Sequence, residues 1–129
     1  HFTYTINMNL PLYNSLKTPM STVFVPYGGI KGFFVTYNGS SYYAWEAACP
    51  NHAANTCERL HCASKSGGGN TFERCDTNTH SFIFVQCPCD GTVYNLVNGS
   101  PIAIDKVTSP YHLLYYNVSV AGNILTISN

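Results

Sequence analysis

Helical periodicity is weak throughout the chain, and short β-rich runs take its place. They read FTYTINM (2–8), STVFV (21–25), GFFVTY (32–37), SYYAWEA (41–47), HSFIFVQ (80–86), HLLYYNVSV (112–120) and ILTIS (124–128). Tyr, Phe, Val and Thr dominate them, side chains that fit a pleated, half-buried surface. The breaks between runs predict the connections. Asn38-Gly39 sits between two aromatic runs, and Asn-Gly favours a tight hairpin because both residues tolerate positive φ. Ala121-Gly122-Asn123 predicts a second hairpin and LVNGSP (96–101) a further turn, while Pro19, Pro26, Pro101 and Pro110 mark strand ends. Short antiparallel strands at this spacing predict an all-β sandwich or partly open barrel.

One stretch breaks the pattern. Residues 58–80, ERLHCASKSGGGNTFERCDTNTH, are polar, Gly-rich and poorly periodic, and predict a loop inserted into a single domain spanning 1–129. Cys62 and Cys75 flank its Gly68-Gly69 tip, so a bridge between them would staple it. Closing a loop of about fifteen residues contributes roughly 3 kcal/mol in the chain-entropy picture.

Composition narrows the partners and the compartment. The chain has 129 residues, enough for one domain with a real core. Charged residues make up only 9%, against roughly 25% in ordinary soluble domains. Six Lys and Arg balance six Asp and Glu without a basic run, which argues against nucleic-acid binding because no patch neutralises phosphates. No apolar stretch approaches the roughly 18 residues of a membrane helix. Six cysteines in so short a chain predict paired thiols and an oxidising compartment. The opening HFTYTINMNL, without Met or signal peptide, reads as a processed product placed on the cell surface, at the outer membrane or outside the cell.

Two Cys-Pro loops carry the candidate chemistry: WEAACPNHAANTC (45–57) and CPCDGTVYNLVNGSP (87–101). Together they resemble the two cluster-binding loops of the Rieske iron–sulfur fold. The second Rieske loop reads Cys-Pro-Cys-His-Gly-Ser, then an aromatic residue and a Gly-containing turn. Here Cys87, Pro88, Cys89, Gly91, Tyr94 and Gly99 fall in step, with Thr92 in place of the Ser. The first Rieske loop carries Cys-x-His and a later Cys. The resemblance covers roughly residues 20–128. It also extends to short Rieske-like extracytoplasmic proteins of flavobacteria and other Bacteroidota, which pair a CPN loop with a CPCD loop and begin with a strand like TINMNLPLYNSL (5–16).

A Rieske centre holds one iron of a [2Fe–2S] cluster by two Cys and the other by two His. Cys49 and Cys87 match the cysteine positions. Asn51 occupies the first histidine position, with His52 displaced by one residue, and Asp90 occupies the second. The resemblance therefore implies a fold that has lost its cluster and binds no metal. It also implies the sulfur pairing. Rieske folds with extra cysteines join their loops by a disulfide, here Cys57–Cys89, and Cys49–Cys87 would form a second bridge in place of iron. With Cys62–Cys75 this uses all six cysteines. The alternative is a one-electron carrier whose [2Fe–2S] cluster is held by Cys49, His52, Cys87 and Asp90.

The remaining signals are weaker. A zinc ion on Cys49-x2-His52 and Cys87-x-Cys89 has poor spacing in its second half. His61, His80 and His112 are expected on the surface. Asn38, Asn98 and Asn117 begin Asn-x-Ser triplets, which read as turns or as glycosylation acceptors. No acid–base pair or phosphate loop indicates an enzyme. Ten Tyr and seven Phe exceed the needs of one small core. A contiguous aromatic patch along residues 33–45 or 111–118 would mark a protein partner, another subunit of a surface or secreted assembly, or self-association. Trp45 with the tyrosines would otherwise offer a carbohydrate platform.

Overall fold

Asn38 turns the chain as its sequence predicts: its side-chain oxygen accepts hydrogen bonds from the backbone N–H of Ser40 and Ser41. This turn joins β3 (Phe33–Tyr37) to β4 (Tyr42–Glu46). The computed structural model describes residues 2–53, 55–65, 72–75, 80–103 and 110–129. The other strands of the larger sheet are β1 (Thr3–Asn7), β2 (Ser21–Val25), β10 (Tyr115–Ala121) and β11 (Ile124–Ser128), with a 3₁₀ turn at Asn14–Lys17. The smaller sheet contains β5 (His61–Lys65), β6 (Phe72–Arg74), β7 (Phe84–Gln86), β8 (Val93–Asn95) and β9 (Pro101–Ala103). Orders are β1-β11-β10-β4-β3-β2 and β6-β5-β7-β8-β9, with every described pairing antiparallel.

The period-2 alternation of β3 feeds two cores at once. Phe33 and Val35 pack with Ile6, Leu16, Val23, Tyr116, Leu125 and Ile127 inside the curl of the larger sheet. Phe34 points the other way, joining Trp45, Leu60, Phe82, Val85, Tyr94 and Leu96 in the core shared with the smaller sheet. Thr22 of β2 ties the two layers. Its hydroxyl donates to the Phe82 carbonyl at 2.5 Å and meets the buried Thr36 hydroxyl at 3.0 Å.

Segment 58–80, expected as an inserted loop, contributes more than a loop. β5 lies inside the smaller sheet between β6 and β7, with His61 opposite Gln86 and Cys62 opposite Val85. Polar neighbours hid this strand, but Cys62 and Ala63 are buried, Cys62 in the core with Phe34 and Trp45. The Gly68-Gly69 tip lies outside the described residues. His61 is likewise buried, not on the surface as expected, and burial pushes its pKa down. Trp45 is also inside: only 7% exposed, it donates to the Leu96 carbonyl at 2.5 Å. A buried indole offers no sugar platform.

Candidate functional site

The first Cys-Pro loop leaves β4 directly after Glu46, a carboxylate only 2% exposed. Burying a charge is costly unless every lone pair finds a donor. Here Ile30 N–H (2.6 Å), Lys31 N–H (2.9 Å), Ala48 N–H (2.8 Å) and Tyr116 Oη (2.5 Å) all donate to it. Glu46 thus fixes the loop's entry against both the 28–32 turn and β10. Gly29 permits this, since it adopts φ +66° and an added Cβ would collide with Glu46 and Tyr116. The second loop leaves β7 and returns as β8. Gly91, at φ +78°, closes it by donating to the Cys87 carbonyl at 3.0 Å. Its far end is packed under Trp45: a Cβ on Gly99 would lie 2.5 Å from the indole ring.

Two of the three expected disulfides are present. Cys57–Cys89 joins the loops with Cα atoms 6.2 Å apart, and Cys62–Cys75 spans β5 and the residue after β6 with Cα atoms 5.1 Å apart. The third is not made: Cys49 and Cys87 are buried free cysteines. Each sulfur packs against another group instead: Cys49 Sγ lies 3.8 Å from Asp90 Oδ2, and Cys87 Sγ lies 3.8 Å from Cys57 Sγ of the existing bridge.

Cys49 and Cys87 instead share a small space with His52 and Asp90, one donor atom from each lying within 4.8 Å of all the others. Cys49 Sγ is 3.8 Å from Asp90 Oδ2, and His52 Nε2 meets the same oxygen at 2.9 Å. Asn51 closes the group. Its Nδ2 donates to Asp90 Oδ2 at 3.2 Å and to Tyr94 Oη at 2.7 Å, while its Oδ1 accepts from Tyr111 N–H at 2.8 Å. Cys49, Cys87 and Asp90 are buried and His52 is half-buried. A cavity of about 440 Å³, lined by Ile30, Cys49, His52, His112 and Leu114 among others, opens on the His52 side.

Charge follows from these contacts. The Cys49 thiol hydrogen-bonds Cys87 and holds its pKa down to about 7 against the effect of burial, helped by the N–H groups of Asp90 and Cys89. Cys49 is pushed up by that same contact and by burial. Burial works to raise the Asp90 pKa, but hydrogen bonds from the Thr92 backbone, Asn51 and His52 outweigh it and keep the carboxyl ionised. Tyr94 is raised by burial and by the nearby Cys49.

Buried tyrosines give a pH prediction. Burial and the Tyr4 hydrogen bond push Tyr13 up to about 12, and Tyr94 and Tyr116 are raised as well. Unfolding returns each to about 10. Their contribution to stability is therefore complete below about pH 10 and disappears as pH climbs through the folded values. Melting temperature is expected to fall above about pH 10, and Tyr94→Phe or Tyr116→Phe should leave the tyrosinate absorbance of the folded protein at that pH unchanged, because neither phenol ionises before unfolding. A loss of folded-state tyrosinate absorbance at that pH in either variant would contradict these burials.

Asn51, Tyr94 and Glu46 were not singled out as site residues from sequence. Asn51 and Tyr94 were visible there only as a departure from, and a match to, the Rieske pattern; Glu46 gave no signal beyond its place at a strand end.

No protein-family model matches the chain, and no curated protein does. Solved structures do. A chain of the complex of reduced oxygenase and oxidized ferredoxin in carbazole 1,9a-dioxygenase is 21% identical over 86% of this chain and 82% of its own, at TM-score 0.49. The quaternary ammonium Rieske monooxygenase CntA, solved with an inhibitor, is 14% identical over 89% of this chain, at TM-score 0.52. This chain spans 29% of that monooxygenase chain. At such identities the likeness is one of fold, and the fold is Rieske-like.

Proposed function

We propose that this chain is a non-enzymatic Rieske-fold module that has given up its diiron cluster and acts by binding or assembling with other proteins. The observation that carries this reading is the occupancy of the two histidine positions. Asn51 and Asp90 stand there and bond to one another. These residues do not fit a Rieske [2Fe–2S] cluster. That cluster places its thiolates on one iron and its imidazoles on the other, so the two pairs stand apart by the length of the diiron core. Here Cys49 Sγ and Asp90 Oδ2 are 3.8 Å apart, and among the described residues only His52 brings an imidazole into the four-donor group. Cys57–Cys89 remains as the covalent link between the loops.

Two disulfides support a location in the cell envelope or outside the cell, where thiols oxidise. The same setting fits the resemblance to Rieske-like proteins of Bacteroidota. Support for a protein partner comes from the surface. Leu114 and Tyr115 are exposed and line one cavity with Ile30 and Cys49, and Tyr111 is exposed with its N–H bonded to Asn51 of the first Cys-Pro loop. They belong to the stretch 111–118, whose Leu113 and Tyr116 are buried in the cores instead, and exposed apolar side chains of this kind favour interfaces.

The test pairs sedimentation with a visible spectrum on the same sample. A colourless protein that self-associates with concentration, and a Leu114→Glu variant that stays folded but monomeric, is the expected result. A brown protein, or association indifferent to Leu114, would contradict the reading.

A further inference from the structure

The four donors that cannot span a diiron core converge as the ligands of one ion would. We infer that Cys49, His52, Cys87 and Asp90 bind a single divalent metal ion of the zinc type in a tetrahedral site that clamps the two Cys-Pro loops. The inference rests on the reading that the [2Fe–2S] cluster is absent.

Spacing is the first observation. Each loop supplies a ligand pair three residues apart, Cys49-x2-His52 and Cys87-x2-Asp90, which is the short spacing of structural zinc turns. Cys89, the sequence's own candidate for the second pair, is engaged with Cys57 and lies on the exposed side. Asp90 takes its place and faces inward. Pro88 and the positive-φ Gly91 bracket this turn, and Gly91 N–H donates back to the Cys87 carbonyl.

Distances are the second. Zinc binds sulfur at about 2.3 Å and nitrogen or oxygen at about 2.0–2.2 Å, so tetrahedral donors stand roughly 3.3–3.8 Å apart. The 3.8 Å from Cys49 Sγ to Asp90 Oδ2 and the 2.9 Å from His52 Nε2 to the same oxygen lie close to that range. The remaining separations stay within 4.8 Å. Two soft thiolates, an imidazole and a carboxylate in this arrangement are a zinc donor set rather than a calcium or magnesium one.

Thiol chemistry is the third. Four cysteines of the chain are oxidised, yet Cys49 and Cys87 are not. An ion would keep two neighbouring thiolates from pairing in an oxidising compartment. On binding, any thiol protons pass to solvent and no electron moves.

The full chain, purified without reductant and stripped with chelator, is titrated with Co²⁺ and then with Zn²⁺. One Co²⁺ per chain is expected, with intense tetrahedral d–d bands and thiolate-to-cobalt charge transfer, displaced stoichiometrically by Zn²⁺. Cys49→Ser and Cys87→Ser each weaken the charge-transfer band, and the double variant loses it. Asp90→Asn weakens Zn²⁺ binding by more than the roughly 10–100-fold that loss of a supporting group costs. His61→Ala, at a buried histidine outside the set, binds as the parent does. Failure of wild-type protein to bind Co²⁺ or Zn²⁺ overturns the inference, and so does a weak octahedral spectrum without thiolate charge transfer or a Cys49–Cys87 disulfide in the native protein. These results leave the cluster-free reading standing. Iron with acid-labile sulfide in the untreated protein overturns both.

Discussion

Replacing Glu46 by alanine is expected to destabilise the protein by about 4 kcal/mol, because two buried and two part-buried donors lose their acceptor together and a buried donor so stranded costs about 1–3 kcal/mol. Three of those donors are backbone N–H groups, at Ile30, Lys31 and Ala48, and cannot be turned toward solvent without moving the loop. The fourth is Tyr116 Oη, in the core of the larger sheet. Glu46→Gln keeps one acceptor oxygen and should lose about half as much. Urea unfolding of the two variants beside the parent measures both. A loss under about 1 kcal/mol for alanine would mean that the carboxylate is not the anchor of the first Cys-Pro loop. Since Cys49 follows Glu46 by three residues, the alanine variant should also disturb the thiols, visible as faster alkylation of Cys49 and Cys87 in the folded protein.

Removing Cys57–Cys89 should cost about 4 kcal/mol, and removing Cys62–Cys75 about 3 kcal/mol, from the loop lengths each closes in the unfolded chain. The sequence separations are 32 and 13 residues. The difference between the two is small, but the consequences are not alike. Cys57–Cys89 is the covalent link between the two site loops, and Cys57 touches Cys87. Cys57→Ser/Cys89→Ser should therefore both unfold earlier in urea and lose the arrangement of Cys49, His52, Cys87 and Asp90. Cys62→Ser/Cys75→Ser acts on the β5–β6 side and should leave that arrangement intact. Equal disturbance of the four donors by both double variants would show that the inter-loop bridge does not organise them.

Legibility divided along the two sheets. The larger sheet was readable because its strands are five to seven residues long and rich in aromatic and β-branched side chains. Its two hairpins carry Asn38-Gly39 and Gly122, residues suited to the turn. The smaller sheet was mostly hidden. β6, β8 and β9 have three residues each, too few to show a period, and β5 reads HCASK. β5 and β8 are fixed by pairing with β7 and by Cys62 and Tyr94 packing in the core with Phe34 and Trp45, and β6 and β9 pair onto them in turn, which local sequence does not encode.

At the site, the identities of Cys49, His52, Cys87 and Asp90 were legible from the Cys-Pro loops, but their mutual placement was not. Whether two cysteines form a bridge or line a cradle depends on side-chain direction to within a few ångströms. Cys57 and Cys89 reach each other, while Cys49 and Cys87 stay unbridged beside an ionised Asp90. Asp90 itself reads as a lost histidine in the sequence. In the fold it is the residue on which Cys49, Asn51 and His52 all converge.

Counting iron and acid-labile sulfide in the full chain as purified, with no metal added, bears on all of this at once. A Rieske-fold body whose histidine positions hold Asn51 and Asp90 should yield no labile sulfide and no paired iron. Two irons and two sulfides per chain would place a diiron centre between Cys49 and Cys87 and refute the cluster-free reading.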